Sequence, residues 1–476
     1  MFPSIMRFIN RNEEMEVLVR LLSGTGGRLA VVYGRRRIGK TRLLLEWAER
    51  NGGLYTVADQ SAPEVQRRYF ASTVAQVLPG FADVEYPDWA SLFSRLARDA
   101  RARKWHGPLV IDELPYLAFA APEIASVLQR FIDHEAKAAR LTLALAGSSQ
   151  RMMQGLVLAA SAPLYGRAEA LFEVKPLSPR YLPSAFGKRS IIELVQLYAA
   201  WGGVPRYWEL AVEAGNGVES QIDALVLNPL GPLHTEPDRL LLEEVPSAVE
   251  LRPILDTVGQ GVHRASEIAG RIGWKATSLS RPLQRLQELG LISREVPYGE
   301  PEHLSKRSLY KLNDPFARLW FRVVAPNRGR LASSKANERI ALLRTHWPIL
   351  AALAWEELCR TFVTDIDHRS ALGRLGPWRT PARWWRGNAP EWDLVSASDD
   401  GKRLLTAEVK WSARPFDVRE LERLAHETAR KLLPAPALRF KAESVVRALL
   451  VPEVSRGAPR VLGGVHIVRG RELLMA

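Results

Sequence analysis

The stretch LAVVYGRRRIGKT, residues 29–41, starts as an apolar run and ends in two spaced glycines followed by lysine and threonine. Gly34 and Gly39 allow the backbone amides between them to turn inward and approach a phosphate closely. Lys40 is predicted to reach the β- and γ-phosphates of a nucleotide, and Thr41 to bind Mg²⁺. Because the loop follows a predicted strand and opens a predicted helix, the pattern indicates an ATP-binding loop. The predicted nucleotide-binding residues of this loop are Gly34, Arg35, Arg36, Arg37, Ile38, Gly39, Lys40, Thr41 and Arg42.

Around this loop, apolar strand-like runs alternate with amphipathic helical stretches, which is typical of a parallel α/β sheet. Strands are expected near residues 29–33, 54–57, 109–111, 141–146 and 171–174. Helical periodicity dominates from about residue 178, and mixed strands and helices return near residue 340. The predicted domains are a P-loop core at 1–177, a helical lid at 178–245, a winged helix at 246–325 and a second α/β domain at 335–476.

The third predicted strand ends in the acidic pair Asp112 and Glu113, within the run PLVIDE. Asp112 is predicted to hold Mg²⁺ through water, and Glu113 to orient and polarise the attacking water as the catalytic residue. The alternative is a strand-to-helix turn whose acids cap the helix. Taken with the loop, the acidic pair favours hydrolysis of the bound nucleotide.

Two polar positions further along the chain are candidates for contact with the γ-phosphate. Ser149 ends the fourth predicted strand beside Ser148, and either residue could sense the phosphate or cap a helix. Arg167, in the run PLYGR, precedes the fifth strand and is predicted to reach transition-state charge on a phosphate, in its own subunit or in a neighbour's. The alternative for Arg167 is an ordinary surface arginine.

The runs RFINRNEEMEVL, VVYGRRRIGKT, LVIDELPYL, AGSSQRMM, PLYGR and WGGVPRYW together resemble the archaeal-type ATPases of the AAA+/STAND superfamily. The resemblance covers residues 7–210 and implies a P-loop sheet followed by a helical lid, with ATP and Mg²⁺ as ligands. It also implies that the GGVP run at 202–205 lies in the lid and that Arg206 faces the nucleotide. An arginine flanked by aromatic residues also packs well in a core, so that alternative stays open for Arg206.

Residues 248–312 carry the pattern of a winged helix: three helical runs and then an alternating stretch suited to a two-stranded wing. The third helix is the usual reader of a DNA major groove, and it carries basic and hydroxyl side chains. The alternative is a winged helix that contacts protein. The predicted DNA-binding residues are Lys275, Ser278, Arg281 and Arg285.

A second group of charged residues lies in the C-terminal third. Asp393 is on one predicted strand, and Glu408 and Lys410 are two residues apart on the next, so these last two side chains share a face. Two carboxylates and an amine at a strand edge are suited to bind Mg²⁺ and to activate water against a phosphodiester, with Lys410 stabilising the phosphate. The alternative is an amphipathic strand with solvated charges.

This arrangement resembles the PD-(D/E)XK nucleases, the restriction-endonuclease-like class, which implies a further acidic metal ligand on the preceding helix. Glu356 is the best match, with Glu357 as the neighbouring alternative. The sequence departs from the pattern in that Trp392, and not proline, precedes Asp393. The archaeal-type ATPases often carry a winged helix and such a C-terminal domain, so the two resemblances agree.

The composition is consistent with a nucleic-acid partner. The formal net charge is +14 and the pI is near 10.0, which points to a polyanion such as DNA. The single cysteine, Cys359, excludes an intramolecular disulfide and suits a reducing cytoplasm. No run reaches the ~18 apolar residues of a membrane span, so no membrane association is expected.

These features together predict an ATP-hydrolysing protein that acts on DNA, with a C-terminal metal-dependent nuclease-like domain. The alternative is a regulatory switch ATPase whose C-terminal domains bind DNA or protein without cleavage. In that case Arg167 is expected to support a homo-oligomer whose assembly depends on nucleotide.

Overall fold

The computed structural model describes residues 8–475, apart from residues 25, 149, 216, 245–247, 303, 304 and 306. The chain divides into two compact units. The first extends to Leu177 and also includes Val204–Arg206; the second comprises Ser178–Gly203 and the residues from Tyr207 onward. Among the described residues, no helix has the length and apolar character needed to cross a membrane.

The first unit is built on a five-stranded sheet in the order β2-β3-β4-β1-β5, in which every pair of neighbouring strands is parallel. The predicted parallel α/β sheet is therefore confirmed. The strands are β1 (Arg28–Tyr33), β2 (Leu54–Val57), β3 (Leu109–Asp112), β4 (Thr142–Gly147) and β5 (Ala170–Glu173). The helices are α1 (Asn12–Leu22), α2 (Lys40–Arg50), α3 (Pro63–Val74), α4 (Trp89–Arg103), α5 (Leu114–Ala120), α6 (Ile124–Arg130), α7 (Lys137–Ala139) and α8 (Gln150–Met153).

Helices cover the sheet and bury its central strands. All six residues of β4 are buried, because a central parallel strand is covered on both faces. Leu143 and Leu145 of this strand pack in one cluster with Trp89 and Phe93 of α4 and with Phe131. Full burial of each such side chain contributes about 1.5–3 kcal/mol, so this layer fixes the position of the strand ends that follow it.

The second unit contains thirteen α-helices and two sheets within its described residues. Its first helices are α9 (Leu182–Phe186), α10 (Ile191–Trp201), α11 (Pro205–Glu213, whose first two residues belong to the first unit), α12 (Val218–Ile222) and α13 (Glu236–Glu244). They are followed by α14 (Ala248–Gly259), α15 (Ala265–Ile272), α16 (Ser280–Glu288), α17 (Pro315–Leu319), α18 (Arg328–Ser333), α19 (Ala336–Phe362), α20 (Val418–Arg430) and α21 (Gly470–Leu474).

Two sheets complete the second unit. Strands β6 (Ile292–Glu295) and β7 (Leu309–Leu312) pair antiparallel where the sequence predicted a wing, and this pair is named the wing hairpin. The other sheet is mixed and has the order β12-β13-β11-β10-β9-β8, with β9 antiparallel to β10 and β11 parallel to β10. Its strands are β8 (Ala382–Trp384), β9 (Trp392–Ala397), β10 (Leu404–Val409), β11 (Val445–Val451), β12 (Val461–Leu462) and β13 (Val465–Arg469).

Helix α10, from the predicted lid, is built into this second unit. Ser190 and Glu193 form a capping box at its start, and the Glu453 carboxylate accepts a hydrogen bond from the amide of Ile191 at 2.7 Å. Gly470 is so close that a Cβ added to it would lie 2.5 Å from a methyl carbon of Ile191. Helix α10 is therefore fixed to the segment around the mixed sheet, whereas the predicted boundaries at residues 245 and 325 stay predictions.

The close contact at Gly470 gives a test of this packing. We expect Gly470→Ala to lower the free energy of unfolding by about 1–3 kcal/mol, because the added methyl group overpacks the contact with Ile191. Gly270→Ala is the matched control: this helical glycine faces open space, so alanine should stabilise α15 by about 0.5–1 kcal/mol. Urea unfolding of both variants measures the difference, and an equal or higher stability of Gly470→Ala would contradict the packing.

Candidate functional site

The phosphate loop connects β1 to α2 through three positive φ angles. Gly34, Arg37 and Gly39 have φ of 141°, 65° and 96°. A Cβ added to Gly34 would lie 2.7 Å from the backbone oxygen of Val174, so any other residue there would collide with the chain that follows β5. The loop therefore depends on its first glycine for both conformation and space.

Lys40 points back into this loop. Its side chain is buried, and Nζ donates hydrogen bonds to the carbonyl oxygens of Gly34 at 2.7 Å and Arg35 at 3.1 Å. The ammonium group thus lies within the ring of backbone that would surround a phosphate.

Asp112 lies at the carboxyl end of β3 and is joined directly to the loop. Its Oδ2 accepts hydrogen bonds from Thr41 Oγ1 at 2.8 Å and from the Tyr55 hydroxyl at 2.6 Å, and its Oδ1 accepts one from the Glu113 amide at 2.8 Å. Burial, and next the charge of Asp112, raise the pKa of Tyr55 far above its usual range, so the phenol remains a donor. Thr41 and Asp112 supply the hard oxygen donors that Mg²⁺ takes, so these two residues fit the ion.

Glu113 is held by the end of the neighbouring strand β4. Its Oε1 accepts a hydrogen bond from Ser148 Oγ at 2.5 Å, and its own φ is 54°, in the left-handed region that costs a non-glycine residue energy. Ser148, the alternative to Ser149, is therefore the serine that contacts the acid. Ser149 lies outside the described residues.

Arg11 was missed as a site residue, although it lies in the quoted run RFINRNEEMEVL. Its side chain is buried, and Nη2 donates to the carbonyl oxygens of Ile38 in the loop at 2.9 Å and Lys175 at 2.8 Å. Nη1 pairs with Glu14 at 2.9 Å. Arg11 thus holds the backbone of the phosphate loop against the segment after β5.

Arg167 does not lie at this end of the sheet. It precedes β5 and forms an ion pair with Asp133 at 3.0 Å, beside a cavity that is also lined by Gly27 and Leu29 at the start of β1. The six residues of β1 span ~20 Å at ~3.3 Å per residue, beyond the reach of an arginine side chain. The predicted contact with a nucleotide in the same subunit is therefore wrong, and a contact with a neighbour's nucleotide stays a prediction.

The GGVP segment does reach the loop. Val204–Arg206 belongs to the first unit, and a Cβ added to Gly39 would lie 3.6 Å from Cγ of Pro205. Arg206 follows Pro205 on the first turn of α11 and is exposed, so it does not pack in a core. Its predicted contact with nucleotide stays a prediction.

The C-terminal acids converge only in part. Asp393 on β9 and Glu408 on β10 are next to the last residue pair of these antiparallel strands, Leu394 with Ala407, and Asp393 accepts a hydrogen bond from the Val409 amide at 2.9 Å. Lys410 Nζ donates to Glu408 at 2.9 Å, and Lys431, at the end of α20, pairs with the other oxygen of Glu408. Burial, followed by the charges of Glu408 and Glu356, raises the pKa of Asp393 to about 6.

Glu356, the predicted additional acidic metal ligand, already pairs with arginines. Glu356 forms ion pairs with Arg360 and, at 3.2 Å, with Arg383. Burial favours its neutral form, but the two guanidinium groups outweigh this effect and lower the pKa of Glu356. The alternative, Glu357, accepts a hydrogen bond from Tyr198 and pairs with Arg318.

In this structure the C-terminal carboxylates are paired with cations. Arginines neutralise Glu356, and lysines neutralise Glu408. Among the described residues, no group of three or more histidine, cysteine, aspartate or glutamate side chains is arranged to hold a metal ion. The metal site of Glu356, Asp393 and Glu408 therefore stays a prediction.

The predicted DNA-reading helix begins later than expected. Residues Ala276–Leu279 form a 3-10 turn, and α16 starts only at Ser280, so Lys275 and Ser278 precede the α-helix. Lys275, Ser278 and Arg281 are exposed, and Arg285 is half-buried. The exposed side chains are available at the amino end of α16.

The role of Arg11 can be tested by nucleotide binding. We expect Arg11→Met to weaken ATP binding by at least about tenfold, because each lost hydrogen bond from a charged donor is worth about 1.5–3 kcal/mol to the loop shape. Arg20→Met, an exposed arginine on the same helix, is the control. Titration with a fluorescent ATP analogue measures both, and unchanged affinity in Arg11→Met would show that the loop keeps its shape without it.

The part of the chain that contains this site is similar to known proteins. Residues 8–210 match the family described as an ATPase domain predominantly from Archaea, and residues 320–430 match a family of archaeal and bacterial proteins of unknown function. An uncharacterized protein of Methanocaldococcus jannaschii is 29% identical over 423 residues, covering 87% of this chain and 90% of that protein. An uncharacterized ATP-binding protein of the same organism is 44% identical over 45 residues, covering 10% of this chain and 76% of that protein.

The fold is also found among solved structures. A Walker-type ATPase of Pyrococcus abyssi superposes with a TM-score of 0.54 at 19% sequence identity, covering 68% of this chain and 99% of that one. The similarity at this identity concerns the fold. Together with the loop and the acidic pair, these matches identify residues 8–210 as an archaeal-type ATPase domain, which is followed by a C-terminal domain of the second family.

Proposed function

We propose that the first unit binds ATP with Mg²⁺, hydrolyses it at Glu113, and passes the nucleotide state to a second unit that binds DNA. The observation that carries the coupling is the position of Val204–Arg206. These residues belong to the first unit, with Pro205 beside Gly39 of the phosphate loop, and are flanked on both sides by chain of the second unit. A change at the loop is therefore transmitted through the backbone to α10 and α11.

The hydrolysis step rests on the residues around Asp112. Lys40 and the loop amides would hold the β- and γ-phosphates, and Thr41 and Asp112 would hold Mg²⁺, which would neutralise charge on those phosphates. Glu113 orients a water whose oxygen forms a bond to the γ-phosphorus while the bond to the ADP oxygen breaks. Because Ser148 holds Glu113 at 2.5 Å, the acid has to turn from Ser148 to the water before it can act.

Steady-state hydrolysis tests these roles. We expect Glu113→Gln to bind ATP normally but to lower kcat by about 10²–10⁴-fold, because the amide cannot accept a proton. Lys40→Ala should lose both binding and turnover, and Glu123→Gln, an exposed acid before α6, should leave both unchanged. A Glu113→Gln variant with wild-type turnover would contradict the assignment.

DNA contact is proposed for the exposed residues at the start of α16. Lys275 and Arg281 are exposed, neither forms an ion pair with the described residues, and the whole chain carries a net charge of +14. Phosphate contacts release counterions, so the affinity should fall steeply with salt concentration.

The salt dependence of duplex DNA binding measures this contact. We expect Arg281→Ala and Lys275→Ala each to reduce the slope of log affinity against log salt by about one. Lys402→Ala, an exposed lysine in the turn between β9 and β10, should leave the slope unchanged. No DNA affinity at low salt would instead favour a winged helix that contacts protein.

Metal-dependent cleavage is the second candidate function, favoured by Lys410, whose Nζ lies 2.9 Å from Glu408 and 4.0 Å from Asp393. The ion pairs of Glu356 and Glu408 act against it. An assay on single-stranded, duplex and branched DNA with Mg²⁺ or Mn²⁺ decides whether the protein cleaves DNA. Cleavage lost in both Asp393→Ala and Lys410→Ala would establish a nuclease, whereas no cleavage by the wild type supports a C-terminal domain that only binds.

A further inference from the structure

A cavity of about 320 Å³ lies within the second unit. Its walls are the end of α14, the wing hairpin, helix α19 and the turn around residues 320–324. One side is apolar and is formed by Val258, Leu350 and Leu353. Cavities at such junctions, with apolar walls and a few convergent polar groups, are where small molecules usually bind.

The other side is charged, with an excess of cations. Lys311 pairs with Glu295 at 2.7 Å, and Arg318 pairs with Glu357. Burial lowers the pKa of Lys311, although the charge of Glu295 opposes this effect. Arg360, a further lining residue, pairs with Glu356, which lies outside the lining. These pairs neutralise the charges of Glu295 and Glu357, the two acids that line the cavity.

Arg322 is the fourth arginine or lysine that lines the cavity. Its Nε is buried, and no described residue accepts a hydrogen bond from that nitrogen. A buried donor without a partner is destabilising, and a guanidinium group is suited to hold the two oxygens of a carboxylate or phosphate. The guanidinium also lies close to the turn at Gly261, where a Cβ added to the glycine would be 3.4 Å from Nη1.

We propose that this cavity binds a small organic anion, with its carboxylate or phosphate on Arg322 and its apolar body against Leu350 and Leu353. The size of the cavity limits the ligand to a small molecule, because it is at the lower end of the range for ligand sites. The site is separate from ATP binding, since every residue that lines it belongs to the second unit.

The test uses the full chain carrying Lys40→Ala, so that the phosphate loop does not bind the probe. Phenylacetate and phenyl phosphate are titrated separately by calorimetry at millimolar concentrations. We expect one of them to bind with a stoichiometry of one, and the one that binds distinguishes a carboxylate ligand from a phosphate ligand. Arg322→Met, which keeps the length of the side chain, should weaken that binding by about tenfold or more.

Two further variants test whether the probe binds in this cavity. Leu353→Trp should block binding without changing the charge, because the indole fills the apolar side. Arg330→Met, an exposed arginine on the nearby helix α18, should bind as the parent does. Thermal unfolding of each variant shows whether it is folded. No binding of either probe, or equal binding by the parent, Arg322→Met and Leu353→Trp when folded, would overturn the proposal.

Discussion

The hydrogen bond from Thr41 Oγ1 to Asp112 Oδ2 connects the start of α2 to the end of β3. Strand β4 lies between β3 and β1, which leads into the phosphate loop. Because all three strands are parallel and in register, their carboxyl ends meet at one edge, and the polar residues that follow them face one another. The interposed β4 also brings Ser148 to Glu113, so the strand order that brings Thr41 to Asp112 also restrains Glu113.

The same edge explains why residues far apart in the chain converge. Arg11 holds the loop from the amino-terminal side, Tyr55 shares the Asp112 oxygen with Thr41, and Pro205 lies beside Gly39. Each of these contacts supports the geometry of the loop without supplying its phosphate-binding groups. The loop is therefore sensitive to segments at both ends of the first unit.

The sequence predicted the five strands that carry this site, because apolar runs are patterns of neighbouring residues. The spacing of Gly34, Gly39 and Lys40 and the acidic pair after β3 are patterns of the same kind, and the roles of these residues stay predictions. The position of Arg167 was also open to prediction: a residue that precedes a parallel strand lies at the amino edge, opposite a loop that follows another strand. Contacts between residues far apart in the sequence could not be predicted. Examples are the hydrogen bond from Arg11 to Lys175 and the ion pair of Glu356 with Arg383 on β8.

In the proposed function, the nucleotide state of the loop reaches the second unit through residues 190–206. Helix α10 is fixed within the second unit by Glu453 and Gly470, while Val204–Arg206 belongs to the first. Hydrogen–deuterium exchange of the full chain, compared between ADP and a non-hydrolysable ATP analogue with Mg²⁺, measures this coupling. We expect exchange to differ between the two nucleotides both in residues 34–41 and in residues 190–206. A difference confined to residues 34–41 would show that the nucleotide state does not reach the second unit by this route.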